Sequence, residues 1–430
     1  MKNAARHLPP LFVALTLLAA LACLPVERAH APATTGEDCA DGETARAAEA
    51  WLRIVPYETS EVRDEPPLDR PRSLARRDGR EYRAILSYPD AQNGLLANRS
   101  FIYDNALALL WTTWADRRDA AAGLAETLML LQNKNGSWGF SFTVTQPGRY
   151  NARYVRNGVV GWTTYALAVY ADATHSARAA AAAERGTRYL ESERVAQRER
   201  RDYALIHGGY GWWKRGDKAV FHPDRKFSLA VAEHQFDAYQ AWSFTRPGDA
   251  EAYARRILEA LWLPDEKRFA LAVDDKNLDT QRALDTAGAW GALWLESIGE
   301  RSLARASLQY TMNHFATEAQ GWKGYRPYLD PIDGPLTPEW DSLIFVEGTL
   351  GVGLAAYRQG RRDAARDVLT NVAAMACAYG PGVPYANKEL MDFSTLPSAS
   401  ATLWFLFLER EMRTGKRSPL FTQKTRINYE

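Results

Sequence analysis

The feature that most constrains the fold of this chain is a repeated pair of apolar-rich segments with helical spacing. The first segment of each pair begins near residues 101, 158, 227, 284, 343 and 397. This period is longer than that of ordinary helical-repeat proteins. Gly, Pro or Asp residues, which commonly start or end helices, bound each segment. The pattern predicts five complete helical hairpins and one further long helix.

The five predicted hairpins pair 101–115 with 119–132, 158–173 with 177–192, 227–244 with 247–263, 284–298 with 302–316, and 343–359 with 363–379. The sixth long helix covers 397–414, and a separate helix is predicted over 44–54. We expect these two helices from opposite ends of the chain to pair. The pairing would close a ring of six hairpins.

The two helices of each pair differ in their polarity. Second helices carry charges freely, as in RRDAAAGLAETLMLL and its near-repeat RRDAARDVLTNVAAM, which is typical of a solvated outer ring. First helices are apolar around most of their circumference, as an inner ring requires. We therefore predict an all-α fold, an (α/α)6 toroid with inner and outer helix rings and long loops that form a groove.

Composition narrows the class of ligand. The 430-residue chain has a formal net charge of +1, which does not favour nucleic-acid binding by electrostatic attraction. It contains 14 Trp and 20 Tyr residues, a content that suits stacking on flat ligands such as sugar rings, although most of them must fill the core. We expect a carbohydrate substrate, no nucleic-acid partner, no cofactor, no metal and a monomer.

The N-terminus has the pattern of an export signal. Lys2 and Arg6 precede the apolar segment 11–22, which is short for a membrane span, and Ala29 and Ala31 form a cleavage signal. We predict a signal peptide over 1–31 and a periplasmic or secreted protein. The alternatives are a lipoprotein cleaved before Cys23, whose lipid would be the contact with a membrane, and an uncleaved anchor.

The rest of the chain divides into three regions. We predict an N-terminal linker, helix and wrapping segment over 32–92, the toroid over 93–414 and a tail over 415–430. After cleavage Cys39 and Cys377 remain, and in an oxidising compartment they could form a disulfide. No Cys or His spacing matches a zinc site. The segment DDKNLD lacks the Glu of a calcium loop and is interpreted as a turn.

Acidic residues in the predicted inner helices are the candidate catalytic groups. Glu233 and Asp237 are four residues apart, so they share a helix face and repel each other. Burial beside a second carboxylate raises the pKa of one of them, as a general acid requires. Glu347 and Asp104 begin other inner helices, where the helix dipole also favours acids. Asp285 is interpreted as a helix N-cap and a lesser, substrate-binding candidate.

The structural alternative for the pair at 233 and 237 is ion pairing with arginine or capping of a neighbouring helix. The remaining substrate-binding candidates are mainly aromatic, and core filling is the alternative for each of them. Trp residues in Gly-rich loops have less reason to be buried than those in helices, which favours positions 138, 212, 213 and 322. The candidates are Tyr103, Trp138, Trp162, Trp212, Trp213, His234, Trp290, Trp322 and Trp340.

Six motifs carry a resemblance to a known superfamily. They are YDNALALL at 103–110, RNGVVGWTTYAL at 156–167, EHQFDAY at 233–239, LDTAGAWGAL at 284–293, FVEGTLGVGLA at 345–355 and LPSASATLWFLF at 396–407. With the hairpin pattern over about 80–412, they resemble the six-hairpin glycosidase-like superfamily. The resemblance implies that inner-helix N-termini and long loops hold carbohydrate. It transfers no single family's acid and base.

These features favour an exported glycoside hydrolase that uses paired carboxylates on a poly- or oligosaccharide. One alternative is a polysaccharide lyase, in which His234 would act with a polar cluster in the segment NARYVRNG. The cluster consists of Asn151, Arg153, Tyr154, Arg156 and Asn157. Another alternative is a helical scaffold that binds a glycan or peptide during envelope assembly, although its repeats would connect more tightly.

An isoprenoid enzyme on a related toroid is a weaker rival. Residues 132–138, QNKNGSW, match a motif that links outer helices in terpene-cyclase toroids. The chain lacks the Asp-x-Asp-Asp motif that starts carbocation chemistry, and export also disfavours this class. We interpret the match as a shared way of ending outer helices.

Overall fold

The computed structural model describes residues 41–57, 81–92, 94–144, 150–152, 154–214, 220–330 and 337–427. The predicted signal peptide, Cys23 and Cys39 lie outside these residues. Cys377 is disulfide-bonded. No helix in the described ranges combines the length and apolar character needed to cross a membrane.

The helices follow the predicted pairing closely. They are α1 Asp41–Trp51, α2 Ile102–Trp114, α3 Arg118–Leu131, α4 Asn157–Thr174, α5 Ala177–Ser192, α6 Ala232–Thr245, α7 Pro247–Leu261, a π-helical turn Asp285–Ala289 continuing into α8 Trp290–Ser297, α9 Arg301–His314, the short α10 Pro338–Asp341, α11 Val346–Arg358, α12 Arg362–Tyr379 and α13 Ala399–Thr414. Short 3-10 turns cover Gly94–Leu96 and Lys424–Arg426.

Six helices form a closed inner ring. In order around the ring, α2 packs on α4, α4 on α6, α6 on α8, α8 on α11, α11 on α13 and α13 back on α2. Their outer partners are α3, α5, α7, α9, α12 and α1. Helix α1 packs against both α13 and α12, so the two ends of the chain meet. The predicted (α/α)6 toroid is confirmed.

Several inner helices begin later than predicted. Phe227 ends a strand, and α6 starts five residues further on, at Ala232. Helices α11 and α13 likewise begin at Val346 and Ala399 rather than at 343 and 397. The apolar pattern overextends the helices because the strands that enter them are buried too, and periodicity alone does not separate the two.

Short antiparallel strands shape the connections. They are β1 Ile54–Pro56, β2 Arg83–Ile85, β3 Arg99–Phe101, β4 Ser141–Thr143, β5 Tyr150–Ala152, β6 Val155–Arg156, β7 Gly209–Lys214, β8 Val220–Phe227, β9 Ala230–Val231, β10 Trp262–Leu263, β11 Arg268–Phe269, β12 Ala272–Val273, β13 Leu278–Asp279, β14 Ala316–Ala319 and β15 Trp322–Tyr325. The sheets are β1-β2, β3-β4-β5, β6-β7-β8, β13-β12-β9, β10-β11 and β14-β15. Strands β3, β6 and β9 lead directly into α2, α4 and α6, so these sheets stand at the N-terminal end of the inner ring.

The tail closes the opposite end of the ring. Leu420 and Phe421 are fully buried, and the Phe421 ring lies 5.5 Å from that of Trp162 in the second turn of α4. Tyr165 of α4 donates a hydrogen bond to the Pro419 carbonyl at 2.5 Å. The tail therefore packs into the inner ring from the end opposite the inner-helix N-termini.

The segment 132–138 joins two outer helices, as interpreted from the sequence. Gln132, just after α3, donates to the Ala182 carbonyl of α5 at 2.9 Å and accepts from Arg185 at 2.9 Å. The predicted turn DDKNLD is also present, because the Asp274 carboxylate accepts from the amides of Lys276 and Asn277 at 2.8 Å each.

Candidate active site

Acidic side chains converge at the N-terminal end of the inner ring. Asp104, Glu233 and Glu347 lie in the first turns of α2, α6 and α11, and Asp285 opens the π-helical turn before α8. Asp237 lies one turn below Glu233 on the same face. We call these five residues the acid cluster. Equal placement at the same end of several inner helices brings together acids that are far apart in sequence.

The acid cluster is buried and has no counter-charge. Its members are 2–7% exposed, and none forms an ion pair within the part of the chain that the structure describes. Oxygens of four of the carboxyl groups also lack a hydrogen-bond partner there, namely Asp104 Oδ1, Glu233 Oε2, Asp237 Oδ1 and Asp285 Oδ1. Buried polar atoms are usually satisfied. These oxygens are therefore placed to bind water or a polar substrate.

Burial and mutual repulsion raise the pKa values of the cluster. For Glu233, burial is the main cause, followed by the charges of Asp285, Asp237 and Glu347. Burial also raises the pKa of Asp237, against a hydrogen bond from Trp162. For Asp285, burial and the nearby Glu347 act in the same direction. These carboxyl groups are thus held in the protonated form well above the usual pH range for acids.

Glu347 differs from the other members of the acid cluster because several hydrogen-bond donors surround its carboxyl group. Tyr103 donates to Glu347 Oε1 at 2.7 Å, and the Trp404 indole donates to the Tyr103 oxygen at 3.0 Å. Burial raises the pKa of Glu347 to about 7, while hydrogen bonds from Tyr103, Ser400 and Trp404 limit the rise. Burial raises the pKa of Asp104 to about 8, opposed by a hydrogen bond from Ser87. Glu347 is therefore poised to ionise near neutral pH.

The N-cap interpretation of Asp285 is wrong. Leu284 has helical backbone angles, and Asp285 lies inside the π-helical turn without capping a helix. A π turn inserts one extra residue into the helical ladder and often occurs at functional sites. Here it accompanies a buried carboxyl group within the acid cluster.

His234 lies beside the acids as an uncharged base. Burial, with the charges of Arg156 and His207, lowers its pKa to about 3. Its Nδ1 atom has no hydrogen-bond partner among the described residues. The imidazole is therefore neutral at physiological pH and can accept a hydrogen bond from a ligand.

Gly158 lets helix α4 approach this group. A Cβ atom at Gly158 would lie 2.5 Å from His234 Cδ2 and 2.7 Å from Asp237 Oδ2. Real Cβ atoms do not approach other atoms so closely. Glycine in the first turn of α4 therefore lets the acid and histidine of α6 pack against the α4 backbone.

Three of the predicted aromatic residues line the acid cluster. Trp162 packs edge-on to Tyr103 at 5.6 Å between ring centroids, and its hydrogen bond to Asp237 joins it to the acids. Trp290 packs against Trp404 at 5.1 Å, and its indole nitrogen has no partner among the described residues. These rings form apolar walls around the carboxyl groups.

The structure contradicts the platform interpretation for one loop tryptophan. Trp138 is fully buried, and its indole donates to the Leu128 carbonyl of outer helix α3 at 2.7 Å. Trp322 is half-buried in the hairpin β14–β15, which packs on both inner helix α11 and outer helix α12. Its role as a platform therefore stays a prediction.

The remaining predicted aromatics have other positions. Trp340, in α10, is half-buried against Tyr328 and Phe393 at 5.8 and 6.0 Å between ring centroids. The backbones of Trp212 and Trp213 belong to β7. Their side chains lie outside the described atoms, so their role as platforms stays a prediction.

Sequence reasoning missed three aromatic residues of the site, Tyr88, Tyr385 and Trp404. Burial raises the pKa of both tyrosines, with Asp104 and Glu347 acting further on Tyr88 and Glu347 on Tyr385. Trp404 is the sixth residue of α13, as Trp162 is of α4. The equal position of Trp404 and Trp162 in their helices is visible in the sequence and could have identified Trp404. The tyrosines lie in irregular segments that offered none.

The polar cluster of the lyase alternative is only partly at the site. Asn157 is occupied structurally, since it donates to the His207 carbonyl and accepts from Tyr189. Arg156 lies close enough to His234 to lower its pKa. Arg153 and the side chain of Asn151 lie outside the described part. No group of three or more His, Cys, Asp or Glu residues within that part is arranged to hold a metal ion.

Comparison with known proteins gives structural matches without sequence relatives. No family model matches the sequence, and no curated protein matches it. A D-mannose isomerase structure aligns with a TM-score of 0.56 at 10% identity, covering 88% of this chain and 98% of that one. Cellobiose 2-epimerase from Bacillus thermoamylovorans gives 0.54 at 9% identity, covering 86% and 99%.

A family 76 glycoside hydrolase, an α-mannanase from Bacteroides thetaiotaomicron, aligns with a TM-score of 0.50 at 12% identity, covering 87% of this chain and 95% of that one. These three enzymes share the six-hairpin toroid, and identities this low establish the fold alone. The closed ring of six hairpins and the acid cluster at its N-terminal end agree with that placement. The chain has the (α/α)6 toroid fold that these enzymes share.

Proposed function

We propose that this protein is a carbohydrate-active enzyme, and specifically a glycoside hydrolase that acts on a poly- or oligosaccharide. The observation that carries the proposal is the acid cluster, in which carboxyl groups of unequal pKa face one another without an ion pair to any described residue. Glycoside hydrolysis needs one protonated and one ionised carboxyl group on either side of the scissile bond. The sugar chemistry of the structural neighbours and the aromatic walls of the site support the same class.

The unequal pKa values assign the two roles. Glu233, surrounded by three other acids, stays protonated and donates its proton to the glycosidic oxygen as that bond breaks. Glu347, held by Tyr103, ionises at lower pH and acts as the carboxylate that activates water or attacks the anomeric carbon. Asp237 and Asp285 keep the pKa of the acid high through their proximity.

The experiment uses purified mature protein with a panel of bacterial and plant polysaccharides. Reducing-end release and ultraviolet absorbance are followed in parallel for wild type and Glu233→Gln. A hydrolase releases reducing ends without absorbance, and loss of the general acid lowers the rate by about 10²–10⁴-fold. Export, which we also propose from the N-terminal pattern, is tested by fractionating cells that express the full chain.

Glu409→Gln is the matched control. Glu409 is 6% exposed on inner helix α13 but pairs with Arg413 at 2.7 Å, away from the acid cluster. Its replacement should leave the rate unchanged. Equal activity of wild type and Glu233→Gln would refute the assigned acid, and glycan binding without product in either channel would favour the scaffold.

A polysaccharide lyase is the second candidate, favoured by His234. Its imidazole is uncharged, as a general base must be before it takes a proton, and its Nδ1 is unpartnered among the described residues. Arg156 is the nearby cation that would neutralise that carboxylate. Elimination leaves a carbon–carbon double bond, so absorbance that depends on His234 and survives in Glu233→Gln would assign this reaction instead.

A further inference from the structure

Arg156 is a cation at the site without an acidic partner. It is half-buried, and within the described residues it forms no ion pair. Its Nη1 atom donates to the carbonyls of Val155, Tyr210 and Gly211 at 3.1–3.2 Å. Its guanidinium carbon lies 4.5 Å from the centre of the Tyr154 ring and 5.5 Å from that of Phe227. These contacts fix the side chain and leave Nε and Nη2 without a described partner.

The position of Arg156 relates it directly to the acid cluster. It immediately precedes helix α4, and Gly158, two residues later, contacts His234 and Asp237. Its charge contributes to the low pKa of His234. The guanidinium group therefore lies on the wall next to the carboxyl groups that would act on a substrate.

Arg99 is a second buried cation on the same side. It is 4% exposed and donates through Nε and Nη2 to the hydroxyl of Ser141 at 3.0 and 2.9 Å. Its guanidinium carbon lies 4.7 Å from the centre of the Phe101 ring. It also forms no ion pair with any described acid. The charge of Arg99 acts on Tyr88, which in turn is close to Asp104 and Glu347.

The two arginines flank one tyrosine. The charges of both Arg156 and Arg99 act on Tyr154, which is itself buried. Buried cations are normally paired, and an arginine without an anion at a desolvated position costs free energy. Two such cations around one residue, beside a candidate sugar site, indicate that an anion is brought by the ligand.

We propose that Arg156 and Arg99 form an anion subsite that binds the oxyanion of an acidic sugar unit next to the acid cluster. The inference rests on the carbohydrate substrate proposed above and narrows it to acidic glycans. The free Nε–Nη2 edge of Arg156 has the planar fork that holds a carboxylate or a sulfate ester by two parallel hydrogen bonds. Neutral glycans lack the group that this edge would bind.

The test measures binding without turnover. Tryptophan fluorescence of the full mature protein is titrated with galacturonate and glucuronate oligosaccharides, with their carboxyl-reduced counterparts and with sulfated oligosaccharides of equal length. We expect one acidic series to bind at least about ten-fold more tightly than its neutral counterpart at low salt, since a charge-assisted hydrogen bond contributes that much. The series preferred identifies the anion as carboxylate or sulfate ester.

Arg156→Gln and Arg99→Gln are each expected to reduce this preference while leaving the affinity for the neutral counterpart unchanged. Arg156→Lys keeps the positive charge but lacks the planar guanidinium, so it should retain part of the preference for acidic oligosaccharides. The matched control is Arg194→Gln, because Arg194 also lies over aromatic rings, 4.2 Å from Trp242 and 4.8 Å from Tyr253, but away from the acids. Its preference should equal that of wild type.

An acidic-to-neutral ratio near one, or a preference that persists in both arginine variants, would overturn the subsite. Binding and hydrolysis are independent measurements, which separates the two proposals. If acidic glycans bind in an arginine-dependent way but no reducing ends are released, the anion subsite is supported and the hydrolase proposal is refuted. If neutral glycans are hydrolysed and acidic glycans are not preferred, the hydrolase proposal is supported and the anion subsite is refuted.

Discussion

Both ends of the inner ring bury carboxyl groups, but only the tail end pairs them with arginines. At the N-terminal end, the acid cluster forms no ion pair with a described cation, and burial raises the pKa values of its members. At the tail end, Arg358 forms two 2.8 Å hydrogen bonds with Glu411, and Ser418 N donates to the same carboxylate at 2.8 Å. Arg417 pairs with Glu296 at 2.7 Å.

The difference separates a stabilising network from a reactive one. Burial alone would raise the pKa of Glu411, but attraction to Arg358 and hydrogen bonds from Arg358 and Ser418 hold it below its ordinary value. That carboxylate stays ionised and anchors the tail. The acid cluster instead keeps protons that it can donate, at a cost in stability that the rest of the fold must offset.

The carboxyl groups at the two ends should therefore contribute to stability with opposite pH dependence. Glu411, with its lowered pKa, contributes stability above its ordinary pKa, and this contribution is lost as the pH falls through the folded value. Asp104 and Glu347 have raised values, about 8 and about 7, so their contribution is present below their ordinary pKa and is lost as the pH rises through those values. Stability should be greatest between the two windows.

Breaking the tail-end pair gives the largest expected effect. Arg358→Met leaves Glu411 buried and uncompensated, and should lower the free energy of unfolding by about 3–5 kcal/mol. Denaturant titration at neutral pH measures this loss. The double variant Arg358→Met/Glu411→Met removes both charges and should recover most of the stability. A single variant as stable as wild type would show that the pair does not anchor the tail.

Removing an acid at the other end should do the reverse. Wild-type Glu233 must take up a proton when the chain folds at pH 8, whereas Gln needs none, so the variant should be more stable than wild type at that pH. The gain is about 1.4 kcal/mol for each unit by which the raised pKa exceeds its ordinary value, up to the working pH. At pH 5 the difference should shrink, because Glu233 of the unfolded chain is then closer to its own protonation range. Glu233→Gln unfolding more easily at pH 8 would contradict uncompensated burial.

A smaller effect is expected from the hydroxyl that holds Glu347. Tyr103→Phe removes a donor to the carboxylate, so the pKa of Glu347 should rise, and the acidic limb of the rate profile should move up by about one pH unit. The control is Tyr165→Phe, which removes a hydroxyl bonded to Pro419 at the tail end. An unchanged profile in Tyr103→Phe, or an equal shift in the control, would remove Glu347 from the ionised role.

The smallest effect is expected outside both ends. Trp322→Ala, in the hairpin over the outer ring, should leave kcat within about two-fold, as expected of a substitution away from the site. Steady-state kinetics on the preferred glycan measures it, with Trp162→Phe as the contrasting change at the site. A large loss of kcat or a raised KM in Trp322→Ala would instead support the predicted role of this residue as a sugar platform.

The sequence predicted the architecture well for a physical reason. Helical periodicity is a local property, so apolar inner helices and charged outer helices are visible in each segment separately. Acids in the first turns of apolar helices are also visible locally, which is why four of the five members of the acid cluster were predicted as catalytic. Asp285 was assigned another role because a π-helical turn and an N-cap look alike in sequence.

The wrong and missed residues have a different origin, since they depend on which part of the fold each loop packs against. Trp138 lies in a Gly-rich segment that resembles an exposed loop, yet it is fully buried against outer helix α3. Tyr88 and Tyr385 reach the site from irregular segments. The direction in which such a segment folds depends on contacts distant in sequence, which composition does not encode.

The sequence by itself determined the six hairpins, the polarity of the two rings and the acidic residues at the inner-helix N-termini. Only the tertiary structure decided that these acids meet without an ion pair to a described residue, that Tyr103 and Trp404 single out Glu347, and that the tail closes the opposite end. The physical reason is that pKa values and counter-charges depend on distances between residues such as 103 and 347. Those distances exist only once the ring has closed.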